Sequence, residues 1–115
     1  MAIKELTPVK ADFNKITKVA PEAASSASDG FVLKFTDADE YLFLLAENTH
    51  GSTSYKVTVK APTNPGYAST DEDLEETLEA GEKAIIRVES ARFANTDGSI
   101  NVTVGNAAVK VAAVY

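Results

Sequence analysis

The sequence predicts an all-β sandwich, and three observations carry that expectation. From Asp29 to Tyr115, apolar residues alternate with polar or small ones in short runs, the period of a strand with one buried face. Turn formers such as Asp29-Gly30, Gly51, Pro65-Gly66 and Asp97-Gly98 punctuate those runs. No strong amphipathic helical pattern competes with the alternation.

The chain of 115 residues is long enough for one packed core and too short for two. Its 44% hydrophobic and 24% charged residues place it among globular domains, apart from disordered chains. Within it, residues 1–28 are expected to form an extended N-terminal arm and residues 29–115 the sandwich domain. The arm, "TPVKADFNKITKVAPEAASSAS", holds Pro8 and Pro21 and shows no clean period. Proline cannot donate to a ladder and pushes its predecessor toward extended geometry, so the arm reads as extended with a loop at 20–28. The stretch "ADFNKITKVA" also has the makings of a short helix, capped by Asp12 and stopped by Pro21.

The strands follow in order. "DGFVLKFTD" sets Phe31, Leu33 and Phe35 against Val32, Lys34 and Thr36. "EYLFLLAEN" is apolar on both faces, which predicts a central strand covered on each side. "SYKVTVKAP" alternates strictly, with Tyr55, Val57 and Val59 on one face, and Pro62 ends it. The polar, Gly-containing "NTHGST" between these two runs predicts an antiparallel hairpin. "STDEDLEETLEAGEK" is two-sided. Ser69 or Thr70 as cap, with Leu74 and Leu78 four apart, suits a helix of two turns; "LEETLEA" turning at Ala80-Gly81 equally suits a strand, the reading that the resemblance given below favours. "KAIIRVESARF" places Ala84, Ile86 and Val88 inward, and "NTDGS" predicts a second hairpin into "SINVTVG". The closing run "AVKVAAVY" alternates up to Tyr115, so its backbone needs partners. They lie within the sandwich's own sheet or across a subunit contact, and the former is expected. About seven short strands at this spacing fit a β-sandwich or small barrel, and the prediction adopted is an immunoglobulin-like antiparallel β-sandwich.

Composition narrows the function. Residues 1–28 carry four lysines and three acids, whereas residues 29–115 carry seven Lys/Arg and fourteen Asp/Glu. So acidic a body is repelled by phosphate backbones, which predicts no nucleic-acid partner. No run approaches the length of a membrane helix, and "MAIKELTPVK" lacks a signal-peptide core, so neither membrane association nor secretion by that route is expected. The absence of cysteine excludes disulfides and thiolate chemistry and is compatible with a reducing compartment.

No residue pattern points to catalysis. His50 is the only histidine and lacks the partners of a dyad or zinc site, so it reads as a solvated turn residue. Asp37, Asp39 and Glu40 have an oxygen-rich spacing that suits Ca²⁺. However, the EF-hand glycine and closing glutamate are missing, and a polar connection accounts for these acids. Seven acids crowd Asp71–Glu82 without a basic residue, which reads as a solvated stripe rather than a carboxylate pair held across a cleft. There is no Gly-x-Ser-x-Gly elbow and no phosphate-binding loop. The aromatics Phe31, Phe35, Tyr41, Phe43 and Tyr55 sit at strand spacing, as core and cross-strand pairs do. The expectation is a non-enzymatic protein without cofactor or metal.

Three blocks carry a resemblance: "SDGFVLKFTDADEYLFLLAENTHGSTSYKVTVKAP", "TLEAGEKAIIRV" and "FANTDGSINVTVGNAAVKVAAVY". Their succession, over residues 29–115, resembles the small structural proteins of tailed bacteriophages and prophages that decorate or complete the head. The resemblance implies a virion component without enzymatic activity, assembled in the host bacterial cytoplasm. Its partner would be the major capsid protein of a phage head, and a homo-oligomer is compatible with it. No catalytic residues carry over; Ala80-Gly81-Glu82 and Asp97-Gly98 are turn chemistry. Many weak contacts closing together on a lattice suit such a role, and an arm that adds a strand to a capsid sheet edge would supply some of them. Ile3, Leu6, Val9 and Phe13 are the expected anchors, unless the arm folds back on its own sandwich. The rival function is an immunoglobulin-like adhesion or carbohydrate-binding module.

Overall fold

Among the described residues, nine strands form two sheets packed face to face, with one helical turn beside them. The structure, a computed structural model, describes residues 3–11, 14–24, 30–34, 42–63, 72–88, 90–95 and 98–115. In chain order the elements are β1 (Lys4–Glu5), β2 (Glu22–Ala23), β3 (Phe31–Lys34), β4 (Leu42–Asn48), β5 (Tyr55–Val59), β6 (Leu74–Leu78), β7 (Lys83–Val88), α1 (Ser90–Phe93), β8 (Ser99–Val104) and β9 (Val109–Val114). One sheet has the order β1-β3-β8-β5-β6 and the other β2-β9-β4-β7. The strand pairs are antiparallel except β1 with β3.

Alternation becomes burial much as the sequence predicts. On β4, Leu42, Leu44, Ala46 and Asn48 are buried while Phe43, Leu45 and Glu47 are half-buried. Phe31 and Leu33 from β3, Val57 and Val59 from β5, Ile100 and Val102 from β8, and Val109 and Val111 from β9 meet them between the sheets. Each such side chain contributes roughly 1.5–3 kcal/mol of transfer free energy. β4 lies between β7 and β9, the central position expected of it. Residues 74–78 form the strand of the two-sided reading. Phe13, Asp12, Phe35, Asp37, Asp39, Glu40, Tyr41, Pro65-Gly66 and Asp97 lie outside the described residues.

Two pairings differ from the sequence reading. β4 and β5 do not form a hairpin, because β4 pairs with β7 and β9 while β5 pairs with β6 and β8. The "NTHGST" connection therefore crosses from one sheet to the other. Likewise β7 and β8 belong to different sheets, with α1 between them. Just before β8, Asn95 N–H donates to Ser99 O at 2.8 Å and Gly98 N–H to Asn95 O at 2.9 Å.

The arm is built into both sheets. Lys4 N–H donates to Gly30 O and Leu6 N–H to Val32 O, which lays β1 along β3. The chain then crosses to the second sheet. There Val9 N–H donates to Ala113 O at 2.9 Å, Tyr115 N–H to Val9 O at 2.9 Å, and Ala11 N–H to Tyr115 O at 2.6 Å. Further on, β2 pairs with Val111 and Lys110 of β9. The backbone of residues 109–115 is thus paired along its outer edge by the arm, which is why the alternation persists to Tyr115. Lys4 Nζ bridges the sheet edges, 3.4 Å from Glu22 Oε1 and 3.3 Å from Ala23 O. The β1/β2 side of the sandwich is therefore closed, whereas among the described residues no strand pairs with the outer edges of β6 and β7 on the other side.

A candidate docking face on the outer side of the second sheet

The register of β9, β4 and β7 arranges the outward side chains in three rows. Phe43 lies beside Arg87 and Val114, Leu45 beside Ile85 and Ala112, and Glu47 beside Lys83 and Lys110. Ile85 is 70% exposed. Because Ala84, Ile86 and Val88 point inward, the extra isoleucine at position 85 has nowhere to go but out. Leu45 lines a groove together with Pro21 and Ile85, and Ala46, Ala84, Glu47 and Lys83 complete it.

Charges frame this apolar row. The guanidinium of Arg87 stands 6.0 Å from the Phe43 ring centroid, the outer limit of cation–π contact. At the other end Lys83 Nζ is 3.9 Å from Glu47 Oε2. An apolar strip with polar ends is the anatomy of a small protein-docking patch. It offers shape and hydrophobic contact.

The expected anchors fall in different places. Ile3 is exposed just before β1, on the first sheet. Val9 is exposed where it bridges Val114, on the second sheet. Leu6, expected to reach outward, is 2% exposed and belongs to the chain's own core: the crossing between sheets turns it into the gap that Phe31 and Leu33 line. Phe13 is outside the described residues. Pro21, Leu45 and Ile85 were missed as candidates; the available signal was an apolar residue at an outward position of "KAIIRV".

His50, Asp73 and Glu82 each make bonds to the neighbouring backbone. The imidazole Nδ1 of His50 accepts from Ser52 N–H at 3.2 Å and Thr53 N–H at 3.1 Å, and its ring meets Tyr55 edge-on at 5.5 Å. That ties the crossing loop to the start of β5. Within the acidic stretch, Asp73 Oδ1 accepts from Ala61 N–H at 2.7 Å and Oδ2 from Lys60 Nζ at 3.1 Å. The Ala61 N–H first, and then Lys60, hold its carboxyl below the usual range, against a smaller opposing effect of burial. Glu82 Oε1 accepts from Glu79 N–H at 3.1 Å and closes the corner at Gly81. Among the described residues no group of three or more His, Asp or Glu is placed to hold a metal, and no helix is long and apolar enough to cross a membrane.

Fold and face together define a two-layer β-sandwich with an arm stitched into both sheets and an apolar groove on one outer surface. The chain matches no known protein family, no curated protein and no solved structure.

Proposed function

We propose that this chain is a non-enzymatic structural protein of a tailed-phage virion, a decoration or head-auxiliary protein that binds the assembled capsid lattice. The observation that carries the reading is the outward apolar row Leu45–Ile85 beside Pro21, with Ile85 left 70% exposed. It is joined by the sequence resemblance over residues 29–115. A face of this size binds weakly once and strongly when many copies engage a repeating surface. The major capsid protein is the partner, and the virion is where the protein resides.

In the same reading the sandwich is a variant of the immunoglobulin-like arrangement. The pairs β4–β7 and β5–β8 correspond to the B–E and C–F pairs of that fold. The other strands depart from it: β9 lies beside β4, β3 beside β8, and β6 beside β5 instead of β7.

Co-sedimentation tests the function. The purified chain is mixed with expanded, empty heads of the phage that encodes it. Saturable binding that Ile85→Asp abolishes without changing the circular dichroism spectrum is the expected result. No binding to heads, together with selective capture on a calcium-supplemented glycan array, would overturn the reading in favour of an adhesion module.

A further inference from the structure

The arm pairs the outer edges of β3 and β9, whereas no strand among the described residues pairs with the sheet edges on the opposite side. There β6 is the last strand of its sheet, and among the described residues nothing pairs with its outer edge. Its backbone is a ready template for one more strand. Leu74, on the same face of β6 as the buried Leu78, is nonetheless 43% exposed. Glu75 and Glu76 on this strand, and Glu72 just before it, are exposed as well.

A segment of matching chemistry exists elsewhere in the chain. Residues 15–19, Lys-Ile-Thr-Lys-Val, belong to no strand. Thr17 and Val19 are half-buried, whereas Ile16 is 96% exposed and Lys15 and Lys18 are exposed. Three of these five residues are β-branched, which favours strand geometry. An isoleucine held almost wholly in water sits between two lysines.

We propose that residues 15–19 of one copy add as a strand to the free edge of β6 in a second copy, joining the chains head to tail. Faces match when Ile16 lies opposite Leu74. An antiparallel addition then sets Lys15 opposite Glu75 and Lys18 opposite Glu72. A parallel addition sets Lys18 beside Glu76 and Lys15 beside Asp73. In both directions the apolar pair is flanked by opposite charges, the favourable cross-strand arrangement. The same carboxylates discourage β6 of one copy from pairing with β6 of another and select a basic strand instead.

The donor cannot serve its own β6. It is tethered at Val9–Ala11 and at Glu22–Ala23 to β9, on the closed side of the sandwich. Donor and acceptor are different surfaces of one chain, so the contact is heterologous and propagates into a ring or an open chain. This inference is independent of capsid binding.

Sedimentation velocity on the full chain, from micromolar to millimolar concentration and at low and high salt, tests it. The wild type is expected to associate with concentration and to dissociate as salt screens the lysine–glutamate contacts. Ile16→Glu, at a solvated position, removes the donor, and Leu74→Lys removes the acceptor; each is expected to be a folded monomer. Mixed together, they retain one working donor and one working acceptor and should form a one-to-one complex that grows no further. A wild type that stays monomeric throughout, association that survives both substitutions, or a mixture that forms no complex would each overturn the proposal.

Discussion

The side-chain amide of Asn48, at the end of β4 in one sheet, donates to the main-chain carbonyl of Leu78, at the end of β6 in the other, at 3.0 Å. The same amide donates to Thr53 O at 2.9 Å, and its Oδ1 accepts from His50 N–H at 3.0 Å. The main chain of Asn48 adds two more bonds to this corner, accepting from Gly81 N–H and donating to Glu82 O. One fully buried side chain therefore fixes where the chain leaves β4, how it crosses to β5, and where β6 turns toward β7. All its polar atoms are satisfied, the condition under which a buried amide stabilises.

Replacing Asn48 with Ala takes the donor from two carbonyls and the acceptor from one N–H in a dry setting. The expected loss is about 2–4 kcal/mol of unfolding free energy. Asn48→Asp should cost more, since it turns a carboxylate toward Leu78 O and Thr53 O. Urea unfolding of both variants checks the ranking.

Gly30 and Gly81 both hold a left-handed φ, +64° and +80°. A Cβ at Gly81 meets nothing within 4 Å, whereas at Gly30 it would fall on Val102 O and 2.8 Å from Thr103 Cα. Gly81→Ala should thus cost only backbone strain, about 1–2 kcal/mol. Gly30→Ala should cost clearly more, because β3 cannot keep its place on β8. Thermal melts of the two variants isolate the steric part by difference.

Asp73 gives the stability a small acid dependence. Its folded-state pKa lies below the unfolded value. The stabilisation is therefore complete above the unfolded pKa of about 4 and is lost as pH falls through the folded pKa. The side chain is more than a third exposed, so solvent screening keeps the effect to a few tenths of a kcal/mol. Asp73→Asn should flatten stability against pH below that point by this amount, measured by urea midpoints from neutral to acid pH.

Leu6→Ala should destabilise the domain by about 2–4 kcal/mol, as for other buried leucines. Hydrogen exchange on the same variant should speed up first at Val9 and Tyr115, whose amides join the arm to the end of β9. Amides of β4, in the centre of its sheet, should stay protected longest.

Strand positions were legible in the sequence because burial on one face leaves a period of two, as in Tyr55–Val59 and Val109–Val114. Sheet membership was not. Asn48 and Gly51 make the same turn chemistry whether the chain reverses within a sheet or crosses to the other; what decides the crossing is the bond from Asn48 to Leu78, thirty residues away. Leu74 and Leu78 were ambiguous for a geometric reason, since residues four apart share a face in both a helix and a strand. The strands of the arm are two residues long and exist only through their partners in β3 and β9, so no local pattern marks them. The groove on the second sheet could be read only once Ala84 and Ile86 were known to point inward, leaving Ile85 outside.

The union of Val9 with Ala113 and Tyr115 also constrains how the protein comes into being. Translation runs one way, and roughly a hundred residues must be added after Val9 before its partners exist, a separation that slows folding. Throughout that interval Val9 and Ala11 lack their partners at Ala113 and Tyr115, whereas β1 finds β3 as soon as Phe31–Lys34 is made.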